Sequence, residues 1–291
     1  MTLLPPPNRA AVTPALALAA ALAIAAPAAA ADPTRSVILA TTTSTQDSGL
    51  LDVLVPVFEG RSGYLVKTIA VGSGQAMALA RRGEADVLLV HSPAAEEKLV
   101  AEGHGTNRRL VMHNDFVLVG PPGDPARVRG LASTARAFER IAAAGALFLS
   151  RGDDSGTHAR EKGVWKAAGI DPEGLRGYQQ TGLGMGETLN VASEKGAYTL
   201  TDRATFLART RARPLALEIV VEREPLLLNV YHVMEVSPAR WPKVNAAGAR
   251  AFADFVVSPA AQEIIARFGV DLVGAPLFVP DAGKDPSTLG R

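Results

Sequence analysis

The stretch Ser150-Arg151-Gly152-Asp153-Asp154-Ser155-Gly156-Thr157-His158 sets a permanent cation four to six residues ahead of two hydroxyl side chains and a glycine. A guanidinium followed by a turn rich in N–H and O–H donors, leading into a helix expected over Thr157–Ala168, has the chemistry to hold a small oxyanion. Two other segments share this character. Thr41-Thr42-Thr43-Ser44-Thr45 follows the apolar run Val37 to Ala40, and Val71-Gly72-Ser73-Gly74-Gln75 follows the run Tyr64 to Ala70. Three donor-rich turns, each between a strand and a helix, argue for a buried anion site. Its candidate residues are Thr42, Thr43, Ser44, Ser73, Arg151, Ser155, Gly156 and Thr157.

Each of these residues also has a plainer role. Arg151 could pair with Asp153, Asp154 or Glu161, and Ser155 and Thr157 can cap a helix, a contribution of about 1 kcal/mol. Capping and ligand binding are compatible. Asp153 and Asp154 are expected to orient Arg151 and its turn rather than meet an anion, because a carboxylate beside a dianion is repulsive. The threonine run also reads as a β-branched strand end with an N-cap. In Gly72-Ser73-Gly74 the glycines would let backbone N–H groups approach a ligand closely.

Other chemistries lack their residues. No G-x-x-x-x-G-K-[ST] loop, H-E-x-x-H pair or G-x-S-x-G elbow occurs, so the usual signatures of NTPases, zincins and α/β-hydrolases are missing. Gly182-x-Gly184-x-Gly186 fails the G-x-G-x-x-G spacing and reads as a loop and helix entrance, with Thr188 a minor contact. Ser155 with His158 three residues on fits a cap better than a nucleophile. His91, His104, His113 and His232 lack ligand spacing, so neither a transition-metal cation nor a cofactor is expected.

The elements that must position these turns alternate. Strand Val37–Ala40, helix Leu50–Glu59, strand Leu65–Val71, helix Gln75–Arg82, strand Val87–Val90 and helix Ala94–Glu102 follow one another, and short continuous apolar runs between helices imply parallel strands covered on both faces. Pro56 should bend the first helix. After Asn114, the run Asp115–Gly120 ends at Pro121-Pro122-Gly123-Asp124-Pro125, which forces a change of direction. A second series follows: helix Ser133–Ala144, strand Leu147–Ser150, the helix from Thr157, helix Met185–Lys195, strand Ala197–Thr201 and the run Leu215–Val221. Pro225 to Val233 reads as a second long extended crossing, before helices near Val244–Val257 and Ala260–Phe268. An inserted lobe explains both crossings, with residues 32–114 and 226–291 forming one lobe and residues 115–225 the other. The tail after Gly274, rich in Pro, Gly and Asp, should pack poorly.

The chain has 291 residues, 47% of them apolar, no cysteine, and 30 basic against 29 acidic side chains. Residues 1–31 contain only Arg9 as a charge and an alanine-rich apolar stretch, the pattern of a secretory signal peptide cleaved after Ala31. Without it the chain is formally neutral, which argues against nucleic acid as a partner. The absence of cysteine excludes a lipid-anchored lipoprotein, a disulfide framework and a thiolate metal site. The remaining length, about 260 residues, suffices for two modest cores.

Thr41-Thr42-Thr43-Ser44, Val71-Gly72-Ser73-Gly74-Gln75-Ala76, Ser150 to Thr157 and Gly182-Leu183-Gly184-Met185-Gly186, in this order, resemble the periplasmic tungstate-binding proteins of bacterial ABC importers. The likeness runs from about Val37 to Val270. It implies an α/β, two-lobe periplasmic binding protein of type II that holds tungstate, or molybdate, between its lobes. It also implies a periplasmic monomer that delivers the oxyanion to a membrane permease and its ATPase. Arg151-x-x-x-Ser155-Gly156-Thr157 is similar also to phosphate-binding proteins of the same fold. Phosphate carries a proton near neutral pH and needs an acceptor, which those relatives supply as an Asp after the third strand; here that stretch is Val87-Leu88-Leu89-Val90-His91-Ser92-Pro93. A fully deprotonated dianion needs donors only, so tungstate, molybdate or sulfate is favoured over phosphate, and the likeness selects tungstate. The rival readings are a phosphate or sulfate carrier, an anion-sensing domain, and an enzyme acting on phosphate or sulfate esters, which would need a base, metal or nucleophile.

Overall fold

The computed structural model describes residues 1–2 and 35–289; the expected leader and its cleavage point lie outside the described residues, apart from the first two. The first series of elements is β1 (Ser36–Thr42), α1 (Thr43–Asp47), α2 (Leu50–Ser62), β2 (Leu65–Val71), α3 (Ser73–Arg82), β3 (Val87–Val90) and α4 (Pro93–Ala101). A long strand, β4 (Gly105–Gly120), leads to α5 (Thr134–Ala143), β5 (Phe148–Ser150), α6 (Gly156–Ala167), β6 (Tyr178–Gln180), α7 (Met185–Lys195), β7 (Thr199–Asp202), α8 (Arg203–Ala212) and β8 (Glu218–Val221). The chain returns through β9 (Leu228–Val236) to α9 (Ala246–Val256), α10 (Pro259–Arg267), α11 (Val270–Val273) and β10 (Val279–Pro280).

Strand β1 lies parallel to both β2 and β3. All four residues of β3 are fully buried, as expected of a strand covered on both faces. One layer over this sheet packs Leu50, Leu54 and Phe58 of α2 with Phe252 of α9 and Ile265 of α10. The opposite layer packs Ala76, Met77 and Ala80 of α3 against Leu88 and Val90. In the second lobe, Phe138, Phe148 and Trp165 form an aromatic nucleus with ring centroids 4.4–5.2 Å apart. On its other side Met185 and Leu189 of α7 cover Leu149.

The crossings enter as antiparallel strands, so the sheet is mixed. β4 pairs with β9 as far as Asp115 and then with β7 and β8 from Phe116 onward. One 16-residue strand therefore serves both lobes. It begins ten residues earlier than the apolar run suggests: the ladder with β9 breaks at Asn107, whose φ is +50°, and resumes at Arg109, while Asn107 and Arg108 pair with the buried Glu235 and Glu96 and Arg109 with Asp254.

Helix α2 runs through Pro56, as expected, for 13 residues. Two local expectations differ from the structure. Helix α8 was absent from the sequence pattern, and its start is set by the Asp202 cap. The tail after Gly274 packs: Leu277 and Phe278 are buried, Phe278 meets Tyr231 edge-on at 5.6 Å, and β10 pairs with Met112 and His113 of β4. Two apolar side chains in a polar segment suffice to anchor it.

Candidate functional site

Each donor-rich turn sits where a parallel strand of the first lobe, or β5 of the second, hands over to a helix, the edge where α/β sheets collect ligands. Thr42 is the N-cap of α1, and its hydroxyl accepts from the amide of Thr45 at 3.2 Å. The same oxygen lies 3.0 Å from His91 Nε2 and 2.7 Å from the Thr45 hydroxyl. Ser44 Oγ is 3.1 Å from His91 Nε2, and its carbonyl accepts from the Thr205 hydroxyl at 2.9 Å. Thr43 points the other way. Its hydroxyl accepts from Arg151 Nη2 at 2.9 Å.

Ser73 opens α3 and is buried. Its hydroxyl accepts from the amide of Gly156, at the first position of α6, at 3.0 Å. Beside this bond, the amide of Gly74 donates to the carbonyl of Asp154 at 3.1 Å. Two features permit so close an approach. A Cβ on Gly72 would stand 2.9 Å from the carbonyl of Asp153, and Asp154 takes a left-handed φ of 54°, which Asp tolerates better than most residues.

Arg151 follows β5 and is 2% exposed. Its Nη2 also donates to Asp153, and Nε reaches the carbonyl of Leu183 at 3.4 Å. Nη1 is buried and has no hydrogen-bond partner among the described residues; the hydroxyl of Thr157 is in the same state. Buried polar groups are almost always paired, and these two, six residues apart, are not. Ser155 caps α6 by accepting from the amide of His158 at 3.2 Å. The His158 ring is turned to the amide of Asp154 instead, at 3.1 Å, so it does not serve Ser155 as a base.

Burial lowers the Arg151 pKa, while the carboxylates of Asp153, Asp47 and Glu187, Asp153 foremost, work to raise it. Both oxygens of Asp153 are engaged, one by Arg151 and the other by the amide of Ser155 at 3.2 Å. Burial holds His91 neutral by pushing it down to about 4, with Asn229 opposing through a hydrogen bond. Asp47 accepts from the amide of Gly186 at 3.1 Å, and burial raises its pKa. Among the described residues no group of His, Cys, Asp and Glu is arranged to hold a metal ion.

The structure therefore brings Thr43 to Arg151 and Ser73 to Gly156, and seats Thr42 and Ser44 on His91. Thr188 lies beside the site, bonded to the hydroxyl of Thr181 at 3.0 Å. Sequence reasoning missed two contributors. His91 joins the threonine turn to a buried cluster in which Asn229 Nδ2, Asn114 Nδ2 and the Tyr231 hydroxyl all donate to Asp202 at 2.8 Å. Asp47 meets Gly186 from the far side of the chain. Only the position of His91 directly after an apolar strand signalled it.

Residues 27–260 match the family model described as the PBP superfamily domain. The chain is 48% identical over 251 residues to the tungstate-binding protein TupA of Peptoclostridium acidaminophilum, covering 86% of this chain and 87% of that one. The crystal structure of the tungstate ABC transporter from Geobacter sulfurreducens superimposes with a TM-score of 0.74 at 44% identity, covering 81% of this chain and 100% of the other. The tungstate-binding protein TupA from Desulfovibrio alaskensis G20 gives a TM-score of 0.70 at 45% identity, with 85% and 99% covered.

Proposed function

The chain belongs to the PBP superfamily, and from that membership we propose that it is the extracytoplasmic substrate-binding protein of an ABC importer, capturing tungstate between its lobes. Relatives that bind tungstate at 48% identity favour this ligand over the rival oxyanions. The observation that supports the site most is the pair of buried, unpaired donors, Arg151 Nη1 and Thr157 Oγ1. We assign the shell to Thr42, Thr43, Ser44 and Ser73 from one lobe and Arg151, Ser155, Gly156 and Thr157 from the other. The lobes are assigned to residues 32–114 with 226–291, and to residues 115–225.

Capture requires no bond to be made or broken. An anion that touches both lobes favours the closed form by its differential affinity, and closure presents a surface to the permease and its ATPase. Phosphate is disfavoured because its proton needs an acceptor, and the stretch His91-Ser92-Pro93 after β3 carries no acid. Ser155 is a helix cap on this reading, so no ester hydrolysis is expected. The carrier is exported, cleaved after Ala31, and acts as a monomer.

Isothermal titration of the chain lacking residues 1–31 against tungstate, molybdate, sulfate and phosphate tests the reading. Tungstate should bind at nanomolar Kd or tighter, roughly 12 kcal/mol or more. Phosphate that competes at equal concentration overturns it.

A further inference from the structure

Arg160 lies one turn beyond the candidate site on α6 and is half-buried. Its Nη2 donates to the carbonyl of Leu228 at 3.1 Å, and its guanidinium lies 5.9 Å from the ring centroid of Phe116. No carboxylate among the described residues pairs with it, whereas the comparably buried Arg108, Arg109 and Arg203 each hold one at 2.6–2.9 Å. Burial alone lowers its pKa, with no acid opposing. Its charge is felt as far as His91. An uncompensated cation in a partly buried position has a use for an anion.

Beside it lies a cavity of about 280 Å³, lined by Ser92 and Pro93 of the first lobe and by Phe116, Gly156, Ala159 and Arg160. Gly156 is shared: it lines this cavity and also donates to Ser73 in the candidate site. On the Arg160 face of α6 the side chains are small, and a Cβ on Gly163 would meet nothing within 4 Å. At about 30 Å³ per water, the space holds a tetrahedral oxyanion with roughly half a dozen waters. It is far larger than a dehydrated oxyanion needs.

We propose that this cavity is the outer mouth of the cleft, where Arg160 first attracts a hydrated dianionic oxyanion; Gly156 packs against His91, whose carbonyl a Cβ on Gly156 would meet at 3.0 Å, so the anion must enter before the lobes close. The idea rests on the oxyanion-carrier reading above. Arg151 is already shared with Asp153, which leaves Arg160 as the charge that attracts. Steering of this kind raises the association rate and is screened by salt, while the dissociation rate, set by the bound contacts, stays the same.

The test measures association and dissociation rate constants for radiolabelled tungstate, molybdate and sulfate with the parent, Arg160→Gln and Arg160→Lys. Arg160→Gln should slow association about fivefold at low salt for every anion that binds, with the difference shrinking at high salt. Dissociation should change less than twofold, and Arg160→Lys should keep the parent's association rate. A parent that binds one of the anions with an association rate untouched by Arg160→Gln overturns the entrance alone, as does an effect confined to dissociation. A parent that binds none of the three overturns the carrier reading and the entrance together.

Discussion

The amide of Gly156 donates to Ser73 Oγ at 3.0 Å across the cleft. Because the serine oxygen receives this proton, its own proton must point elsewhere, and on the proposed reading it donates to the anion. The Gly74 to Asp154 bond at 3.1 Å reinforces the same seam.

Arg151→Ala should weaken tungstate binding by about 2–5 kcal/mol, the range for removing one partner of a buried charged pair. Arg151→Lys should recover only part, since an ammonium cannot reproduce the planar fork that holds Thr43, Asp153 and Leu183 together. Titration calorimetry with circular dichroism as a control reads both. Parent-like affinity in a folded Arg151→Ala protein makes the residue structural.

Thr157→Val separates binding from folding. The threonine hydroxyl is buried without a protein partner, so its replacement by a methyl should leave the melting temperature of the ligand-free protein unchanged or higher. The loss of tungstate affinity should nonetheless reach roughly 1–3 kcal/mol, the usual penalty for one unmade buried bond. Unchanged affinity places the anion elsewhere.

Glu161 gives a stability signature in pH. Burial pushes its carboxyl up to about 7 from an ordinary 4.5, against donors that include Tyr178 and Trp165. The native state therefore holds a proton that the unfolded state has released, so stability from this group is full below about 4.5 and is lost as pH rises through about 7. Thermal melts at pH 5 and pH 8 should show a smaller decline for Glu161→Gln than for the parent. Equal declines would mean that Glu161 is ionised in the fold.

His91 should behave in the opposite sense. Its Nδ1 faces Asn229 Oδ1 at 2.8 Å, and Asn229 Nδ2 is committed to Asp202, Asn114 and Tyr231. Nδ1 must therefore donate, leaving Nε2 to accept from Thr42 or Ser44. With its pKa down to about 4, the stability it contributes is present above 6.5 and is lost as pH falls toward 4. Nitrogen-15 shifts of the ring should report the Nδ1–H tautomer from pH 8 to pH 6. A ring that titrates near 6.5 contradicts this arrangement.

The turns around Thr42, Ser73 and Ser155 were legible because hydroxyls and glycines directly after an apolar run mark the passage from strand to helix, where Thr42 and Ser155 serve as caps. Arg151 was legible for the same reason, and its pairing with Asp153 was anticipated. His91 was not, because its neutrality depends on Asn229, 138 residues away, and no local pattern encodes that meeting. Asp47 and Gly186 are likewise 139 residues apart. Strand β4 was read ten residues short because Asn107, Arg108 and Arg109 look like loop, and their partners Glu235, Glu96 and Asp254 lie far off or out of pattern in sequence. Helix α8 escaped because its three arginines dilute the apolar stripe, and only the Asp202 cap marks its start.

The carboxylate of Asp281 is fully buried, held by His113 Nδ1 at 2.5 Å and by Lys284 at 2.8 Å. This gives the chain a practical end point for engineering. A purification tag or fluorescent reporter fused after Lys284 leaves the clasp on β4 in place. The same fusion made after Gly274 would discard Leu277, Phe278 and Asp281, strip the cover from Tyr231, and loosen the ring that stacks on His91 at 4.6 Å. A biosensor built on this scaffold should therefore carry its reporter beyond that lysine.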